Sequence, residues 1–347
     1  MSTSNESFGQ TQIPQPSEHE VTDLRKMLVS LESNVEQLRM VMKLIDTYTC
    51  ITYTDEHFNE LKEICKVILG NVPFMLTVLD TTYITRARQN IKPIFSKTAE
   101  ISYNNNLPSI SQGRFNLAEE SAFYGCLPTY HADGKLINYR NQCPLFEVCK
   151  ELSNGQGISF PAFFTFGFWK IVKKLPVLNL CYEDDHLASN PAINGPVSQF
   201  VKDIKKEASG KTVDFILEVW RYFSGLTRRW DDKKNTNYYF ILTAFYHAFK
   251  ETYRRTHSSE CAGIIYPSAM TEAKGLNIVL NPEGVDYHLQ LSKVQMWILR
   301  SRGLRYDYEP ITGVVTVIDG NFVFDKKLMF WYNLSMHNWS EINGYEG

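Results

Sequence analysis

Two consecutive segments with apolar residues at helical spacing constrain the fold of this chain most strongly. In the first segment, steps of three and four residues continue for more than three heptads: Val21, Leu24, Leu28, Leu31, Val35, Leu38, Met42 and Ile45. A repeat of this length predicts a long helix with one continuous apolar face. A second helix begins near Asp55, with its apolar face at Phe58, Leu61, Cys65 and Ile68. We therefore predict a helical hairpin at 17–72.

Two arrangements satisfy the apolar faces of this hairpin equally well. The helices can pack on the rest of their own chain, or they can pair between two chains and form a homodimer. Neither arrangement implies a catalytic role for the hairpin. Residues 1–16 upstream consist mainly of Ser, Thr, Asn, Gln and Pro with a single acidic residue, and we expect them to form a disordered tail.

From Pro73 the pattern changes to short apolar and β-branched runs, and we assign 73–347 to one domain. The runs predict strands near 74–82, 122–127, 160–170, 175–181, 261–266, 276–280 and 285–298. We expect 175–181 to pair with 160–170, and Asp319-Gly320 to form a hairpin turn. Helices are predicted near 141–152, 195–208, 212–224 and 236–253. Because strands and helices do not alternate regularly, the fold class is α+β rather than a doubly wound sheet.

Composition and charge exclude several classes of function. The chain has 347 residues, with 36 Lys and Arg against 38 Asp and Glu, so no basic surface for nucleic acid or an anionic membrane is expected. We see no apolar run of about 18 residues and no apolar leader segment. The seven cysteines lack the spacing of a disulfide framework, which is typical of reduced thiols in a cytoplasmic protein. The histidines lack metal-ligand spacing, so no metal site is predicted.

The segment from Ser109 to Thr129 carries side chains suited to an anionic, aromatic ligand. Gly113 permits a close approach of the backbone to a ligand, and Arg114 offers a planar, permanently charged fork for phosphate oxygens. Phe115 follows the arginine, and Tyr124 provides a ring for stacking and a hydroxyl group. By itself, a glycine–arginine pair in a loop is more often a surface turn than a phosphate site.

Further candidates lie before and after this segment. A predicted strand delivers Arg86 and Arg88, and Ser268 follows Tyr266-Pro267 where another strand ends. Ser268 lacks the G-x-S-x-G pattern of a nucleophile elbow, and a serine at this place can simply end a strand in a turn. Arg86 or Arg114 could instead form an ordinary ion pair at the surface or at the rim of the core.

Glu147 is the candidate carboxylate. It stands on a predicted helix between Leu145, Phe146, Val148 and Cys149, so it is not simply part of a solvated face. An unpaired buried carboxylate would be costly, which indicates either a partner or a role in a site. Glu119 and Glu120 are the alternative carboxylates.

Taken in order, these motifs resemble the RES domain family, which is named for its arginine, glutamate and serine. The most specific parts are the GRFN turn with the following FY pair and the GIIYPSA…NIVL segments. The resemblance covers roughly 75–330, with insertions near 128–138 and 183–258. It implies an ADP-ribosyltransferase-like mixed sheet core, here with an N-terminal helical hairpin and helical insertions. It also implies cleavage of the nicotinamide–ribose bond of NAD, as in bacterial toxins that a cognate antitoxin protein blocks.

The resemblance assigns roles to the candidate residues. Arg86 and Arg114 would hold the pyrophosphate of NAD, with Arg88 as the alternative to Arg86, because Ala87 stands where some family members have an aromatic residue. Tyr124 would stack on nicotinamide or bond the ribose, and Phe115 belongs to the same NAD-binding set. Glu147 would stabilise the ribosyl cation, and Ser268 would bond the carboxamide or a phosphate.

Two questions stay open at this point. The acceptor of the ADP-ribosyl group could be phosphate, water or a protein side chain, which correspond to phosphorolysis, hydrolysis and ADP-ribosylation. A hypothesis of a different class is that the chain binds a nucleotide without turning it over and assembles through its helical hairpin.

Overall fold

The computed structural model describes residues 18–80, 83–90, 95–128, 142–149, 162–182, 191–229, 237–256, 261–271, 275–302, 305–310 and 315–323. The tail predicted at 1–16 lies outside these residues. The described residues form seven α-helices and a mixed sheet of eleven strands, which confirms the α+β class. None of the described helices is long and apolar enough to cross a membrane.

The helices and strands follow the chain in this order. The helices are α1 (Glu18–Thr47), α2 (Asp55–Asn71), α3 (Gln142–Val148), α4 (Pro191–Glu207), α5 (Gly210–Arg228), α6 (Asn237–Thr256) and α7 (Pro282–His288). The strands are β1 (Leu76–Leu79), β2 (Tyr83–Gln89), β3 (Phe123–Leu127), β4 (Ala162–Ile171), β5 (Leu175–Asn179), β6 (Gly263–Pro267), β7 (Leu276–Leu280), β8 (Leu289–Arg302), β9 (Arg305–Pro310), β10 (Val315–Ile318) and β11 (Asn321–Val323).

The sheet consists of two halves that meet at a single residue pair. Its strand order is β1-β5-β6-β7-β3-β2-β4-β8-β10-β11, with β9 also on β8. Strand β3 pairs with β7 along its whole length, and β2 does the same with β4. Between β2 and β3, only one pair of residues is in register, Thr85 opposite Cys126. We call β1, β5, β6, β7 and β3 the first half-sheet and the remaining strands the second half-sheet. Their divergence opens a cleft.

The predicted hairpin is present as α1 and α2, and its apolar seam is buried within the chain. Leu28, Leu31, Val35, Leu38 and Ile45 are all buried, and α1 packs on α2 and α5. Helix α2 in turn packs on α6, in the same core as the first half-sheet. The hairpin is therefore not a separate unit. Pairing two chains through this seam would require that core to open.

Two strand predictions were wrong. The aromatic strand β4 pairs with β2 and β8, whereas β5 pairs with β1 and β6. Leu175, Val177 and Leu178 are fully buried, so β5 needs neighbours within the first half-sheet rather than the edge position of a hairpin. The segment from 285 begins as helix α7 and not as a strand. Asn281 caps this helix by accepting a hydrogen bond from the backbone N–H of Gly284, and Pro282 occupies its first turn.

Candidate functional site

A cavity of about 490 Å³ lies in the cleft between the half-sheets. That volume falls in the range of small-molecule sites. Strands β2 and β3, helix α3 and the turn at Gly113 contribute to its lining, together with α6 and β7. Five of the predicted site residues line it: Arg86, Arg88, Arg114, Tyr124 and Glu147.

Arg114 is a buried cation without a hydrogen-bond acceptor among the described residues. Its exposure is 7%, and its Nε is fully buried and unpartnered within the described part of the chain. The guanidinium lies 5.2 Å from the ring centre of Tyr239 and 5.7 Å from that of Tyr266. Burial works against the charge, but the field of Tyr266, Tyr239 and Glu147 outweighs it, and the pKa of Arg114 is raised. Its free donors suit an anionic ligand.

The turn that carries Arg114 is held in place by Tyr124. The Tyr124 hydroxyl accepts a hydrogen bond from the backbone N–H of Phe115 at 3.0 Å and donates one to Asn116 Oδ1 at 2.8 Å. The backbone N–H of Gly113 donates to the Asn116 carbonyl and closes the turn. Because the one hydrogen of the Tyr124 hydroxyl is committed to Asn116, the side chain offers the cavity its ring.

Arg86 and Arg88 both line the cavity from β2. Arg86 donates from Nη1 to the Tyr124 carbonyl on β3 at 2.6 Å, and so links the two half-sheets. Burial, and then the charge of Arg88, lower the pKa of Arg86 to about 9. The Nε of Arg86 is buried and has no partner among the described residues. Arg88 is less deeply buried and donates to the Glu100 carbonyl at 2.8 Å. Both arginines thus remain candidates for the same anion.

Glu147 is held by two donors from the first half-sheet. Its Oε1 accepts from Ser268 Oγ at 2.6 Å and from Asn277 Nδ2 at 2.7 Å. The other face of α3 packs through Leu145 and Cys149 on the second half-sheet. The second carboxylate oxygen, Oε2, has no hydrogen-bond partner among the described residues. Within the described part of the chain, the carboxylate thus lies at the cavity with one oxygen fixed by two donors and the other without a donor.

Two of the predicted site residues do not line the cavity. Ser268 is fully buried, and its hydroxyl donates to Glu147. Phe115 is fully buried as well, and its ring packs 4.9 Å from that of Tyr266 and 6.0 Å from that of Tyr246. The structure thus places both residues one layer behind the cavity. Ser268 supports Glu147, and Phe115 supports a tyrosine that contacts Arg114.

The two alternative carboxylates lie elsewhere. Glu120 accepts from His247 Nε2 at 2.9 Å, from Lys250 Nζ at 3.1 Å and from the backbone N–H of Leu117 at 2.9 Å. Glu119 is exposed, in a turn with φ of 61°. Neither lines the cavity, so Glu147 is the carboxylate that the fold brings to the arginines.

The sequence interpretation missed three residues of the site. Tyr239 stands on the largely apolar helix α6, and Tyr266 lies inside the buried strand β6. Asn277 is only 2% exposed and interrupts an otherwise apolar strand. A polar side chain in a strand that is buried on both faces indicates a buried hydrogen-bond partner, and this signal could have identified Asn277.

A scan against models of protein families and a search of the curated proteins return no match for this chain. A function must therefore be argued from the geometry of the cavity and from the motifs that line it.

Proposed function

We propose that this chain is an NAD-consuming enzyme of the RES type, with an ADP-ribosyltransferase-like core, that cleaves the nicotinamide–ribose bond. The observation that carries the proposal is the pairing of opposite charges across one cavity. Arg114 has a buried Nε donor without an acceptor, and Glu147 has a carboxylate oxygen without a donor, among the described residues. A substrate that is anionic at one point and develops positive charge at another matches both.

NAD has this distribution of charge. Its pyrophosphate is anionic, and Arg114 with Arg86 or Arg88 would hold the phosphate oxygens by charge-assisted hydrogen bonds. When the bond between the ribose C1′ and the nicotinamide nitrogen breaks, its electron pair leaves with nicotinamide, which becomes neutral. The ribose is then oxocarbenium-like, as in glycoside cleavage, and the free oxygen of Glu147 would stabilise it.

The aromatic lining supports the same substrate. The rings of Tyr124, Tyr239 and Tyr266 line the cavity beside the arginines. Aromatic faces suit the stacking of a nicotinamide or adenine ring. The opening of the mixed sheet into a cleft is compatible with an ADP-ribosyltransferase-like core. If the chain acts as a toxin, a cognate antitoxin would block this cavity.

The acceptor decides the reaction class. The ribosyl cation is captured by an oxygen of phosphate or water, or by a protein side chain, and the acceptor loses a proton where it carried one. These outcomes correspond to phosphorolysis, hydrolysis and ADP-ribosylation. Binding of NAD without any cleavage would instead favour a nucleotide-binding module.

The test is nicotinamide release from NAD by the purified protein, with and without phosphate, and transfer of label from NAD to protein. We expect Arg114→Ala and Glu147→Gln each to lower kcat/KM by at least about 100-fold, since each removes charge stabilisation in the transition state. Arg25→Ala and Glu36→Gln make the same changes on the exposed surface of α1 and should leave the rate unchanged. Wild-type protein that neither releases nicotinamide nor is stabilised by NAD would overturn the proposal.

A further inference from the structure

We propose that Asn277 is a positioning residue for Glu147, and that its amide is oriented by the carboxylate on one side and by two cysteine thiols on the other. This inference rests on the proposed function for its kinetic consequences, but not for the geometry. Asn277 lies on β7, is only 2% exposed, and stands between the carboxylate and two cysteine side chains.

The hydrogen bonds around Asn277 are complementary. Its Nδ2 donates to Glu147 Oε1 at 2.7 Å. Its Oδ1 accepts from the thiol of Cys126 at 3.2 Å and from that of Cys143 at 3.5 Å. The reverse orientation of the amide would place two acceptors, Asn277 Oδ1 and Glu147 Oε1, against each other. The carboxylate therefore determines which end of the amide faces it, and the two thiols complete this orientation by donating to Oδ1.

The orientation of the amide has a consequence at the cavity. With donors from both Asn277 and Ser268 on Oε1, that oxygen is satisfied, and Oε2 is the one left for the substrate. The two donors come from the first half-sheet, whereas α3 rests on the second. Asn277 thus fixes the rotation of the carboxylate about its final bond as well as its place between the half-sheets.

Few other groups in this cluster change charge near neutral pH. Burial raises the pKa of Cys126 and of Tyr266, so both stay neutral. Arg114, facing from its turn, stays charged, whereas burial and then the charge of Arg88 lower the pKa of Arg86, facing from β2, to about 9, so wild-type protein at the same pH is the reference. Cys143 faces Asn277 from α3. An Asn277→Asp substitution introduces a carboxyl group at the amide position. While protonated, this group can donate to Glu147 as the amide does. Once ionised, it faces Glu147 as a second acceptor and repels it.

The first measurement is the pH profile of NAD cleavage by Asn277→Asp. We expect activity at acid pH and a loss of kcat of at least about tenfold at pH 8, with KM changed much less, because substrate binding falls to the arginines. Asn179→Asp is the matched control: this asparagine is fully buried on β5 and lies away from the cavity lining. It tests whether any buried Asn→Asp substitution causes the pH-dependent loss of kcat. The same pH profile in Asn277→Asp as in wild type would overturn the inference.

The second measurement does not need NAD. Asn277→Ala and Glu147→Gln are compared singly and together by urea unfolding, and a direct contact predicts that the shift in midpoint of the double variant differs from the sum of the single shifts. Additive shifts would overturn the inference even where NAD is cleaved. Coupled shifts without nicotinamide release from wild-type protein would uphold the positioning contact while the proposed function fails.

Discussion

Gly113 is the residue on which the placement of Arg114 depends most directly. A Cβ at this position would lie 2.8 Å from the Tyr124 hydroxyl oxygen and closer still to Asn116 Oδ1. These two atoms hydrogen-bond each other and close the turn. Glycine is therefore required here by the close approach of two polar side chains.

Gly113→Ala is expected to destabilise the protein by about 1–3 kcal/mol, because the turn must open to admit the methyl group. Displacement of Arg114 should lower NAD cleavage at the same time. Urea unfolding measures the first effect and nicotinamide release the second. The control is Gly70→Ala in α2, where nothing lies within 4 Å, and where alanine should add about 0.5–1 kcal/mol. Equal stability of the two variants would contradict this account of the turn.

The residues of the site also show what single positions can indicate in a sequence. The apolar neighbours of Glu147 correctly marked it as a carboxylate with partners, since burial follows from local composition. Which of Phe115, Tyr124 and Ser268 lines the cavity was not predictable in the same way. It depends on how far each side chain lies from the cleft, and that distance is set by the divergence of β2 from β3.

Among the elements, α1 is anchored by its apolar seam rather than by partners outside the chain. Leu31 is fully buried against the core, whereas Val29 on the same helix is 72% exposed. Leu31→Ala should therefore cost about 2–5 kcal/mol of unfolding free energy, and Val29→Ala less than about 0.5 kcal/mol. Denaturant unfolding at two protein concentrations tests this. A midpoint that rises with concentration would indicate that the seam is completed by a second chain.

Glu120 lies after the turn that carries Arg114 and links this segment to α6 through His247 and Lys250. Burial raises the pKa of Glu120, but the hydrogen bond from His247, the charge of Lys250 and the N–H of Leu117 outweigh burial and lower the pKa to about 2. Because the pKa is lower in the folded state, the stabilisation is complete above about pH 4.5 and is lost as the pH falls towards 2.

We therefore expect wild-type protein to lose about 2 kcal/mol more unfolding free energy than Glu120→Gln when the pH falls from 5 to 2. This is less than the whole pKa shift would give, because solvent screens the partly exposed side chain. Thermal unfolding at a series of pH values provides the comparison. Exposed Glu36→Gln controls for the general effect of removing one carboxylate. If the stability of wild type and of Glu120→Gln changed in parallel with pH, the contacts of Glu120 with α6 would not stabilise the fold.

Helices and local turns were predictable from the sequence, whereas strand partners were not. The seams of α1 and α2 and the Asp319-Gly320 hairpin, with φ of 49° and 74°, follow from residues close together in the chain. The partners of β4 and β5 follow from burial on both faces, and they lie more than 70 residues away in the chain. Helix α7 was not predicted, because the apolar residues after Asn281-Pro282 favoured a strand more strongly than this capping pair indicated a helix.

At the scale of the whole molecule, three hydrogen-bonded contacts among the described residues join the half-sheets around the cavity, beside the ring contact of Phe123 with Trp169. They are the Thr85–Cys126 backbone pair, the hydrogen bond from Arg86 to the Tyr124 carbonyl, and α3, which rests on the second half-sheet while Glu147 bonds to the first. The remaining length of β2 and β3 is separated by the cavity. A ligand held by Arg114 on one side and by Arg88 on the other would add a fourth link.

This arrangement predicts that NAD stabilises the molecule as a bridge across the cleft. In Glu147→Gln, where cleavage is expected to be slow, NAD at 100 times its dissociation constant should add about 2.7 kcal/mol to the unfolding free energy. Hydrogen exchange should slow most at 83–89, 123–127 and 142–148, and least along α1, which lies outside the cleft. Nicotinamide alone lacks the pyrophosphate and should leave exchange at all these segments unchanged. Equal protection of the two half-sheets and α1 would mean that NAD stabilises the folded state as a whole. It would contradict the idea that NAD links the two half-sheets across the cleft.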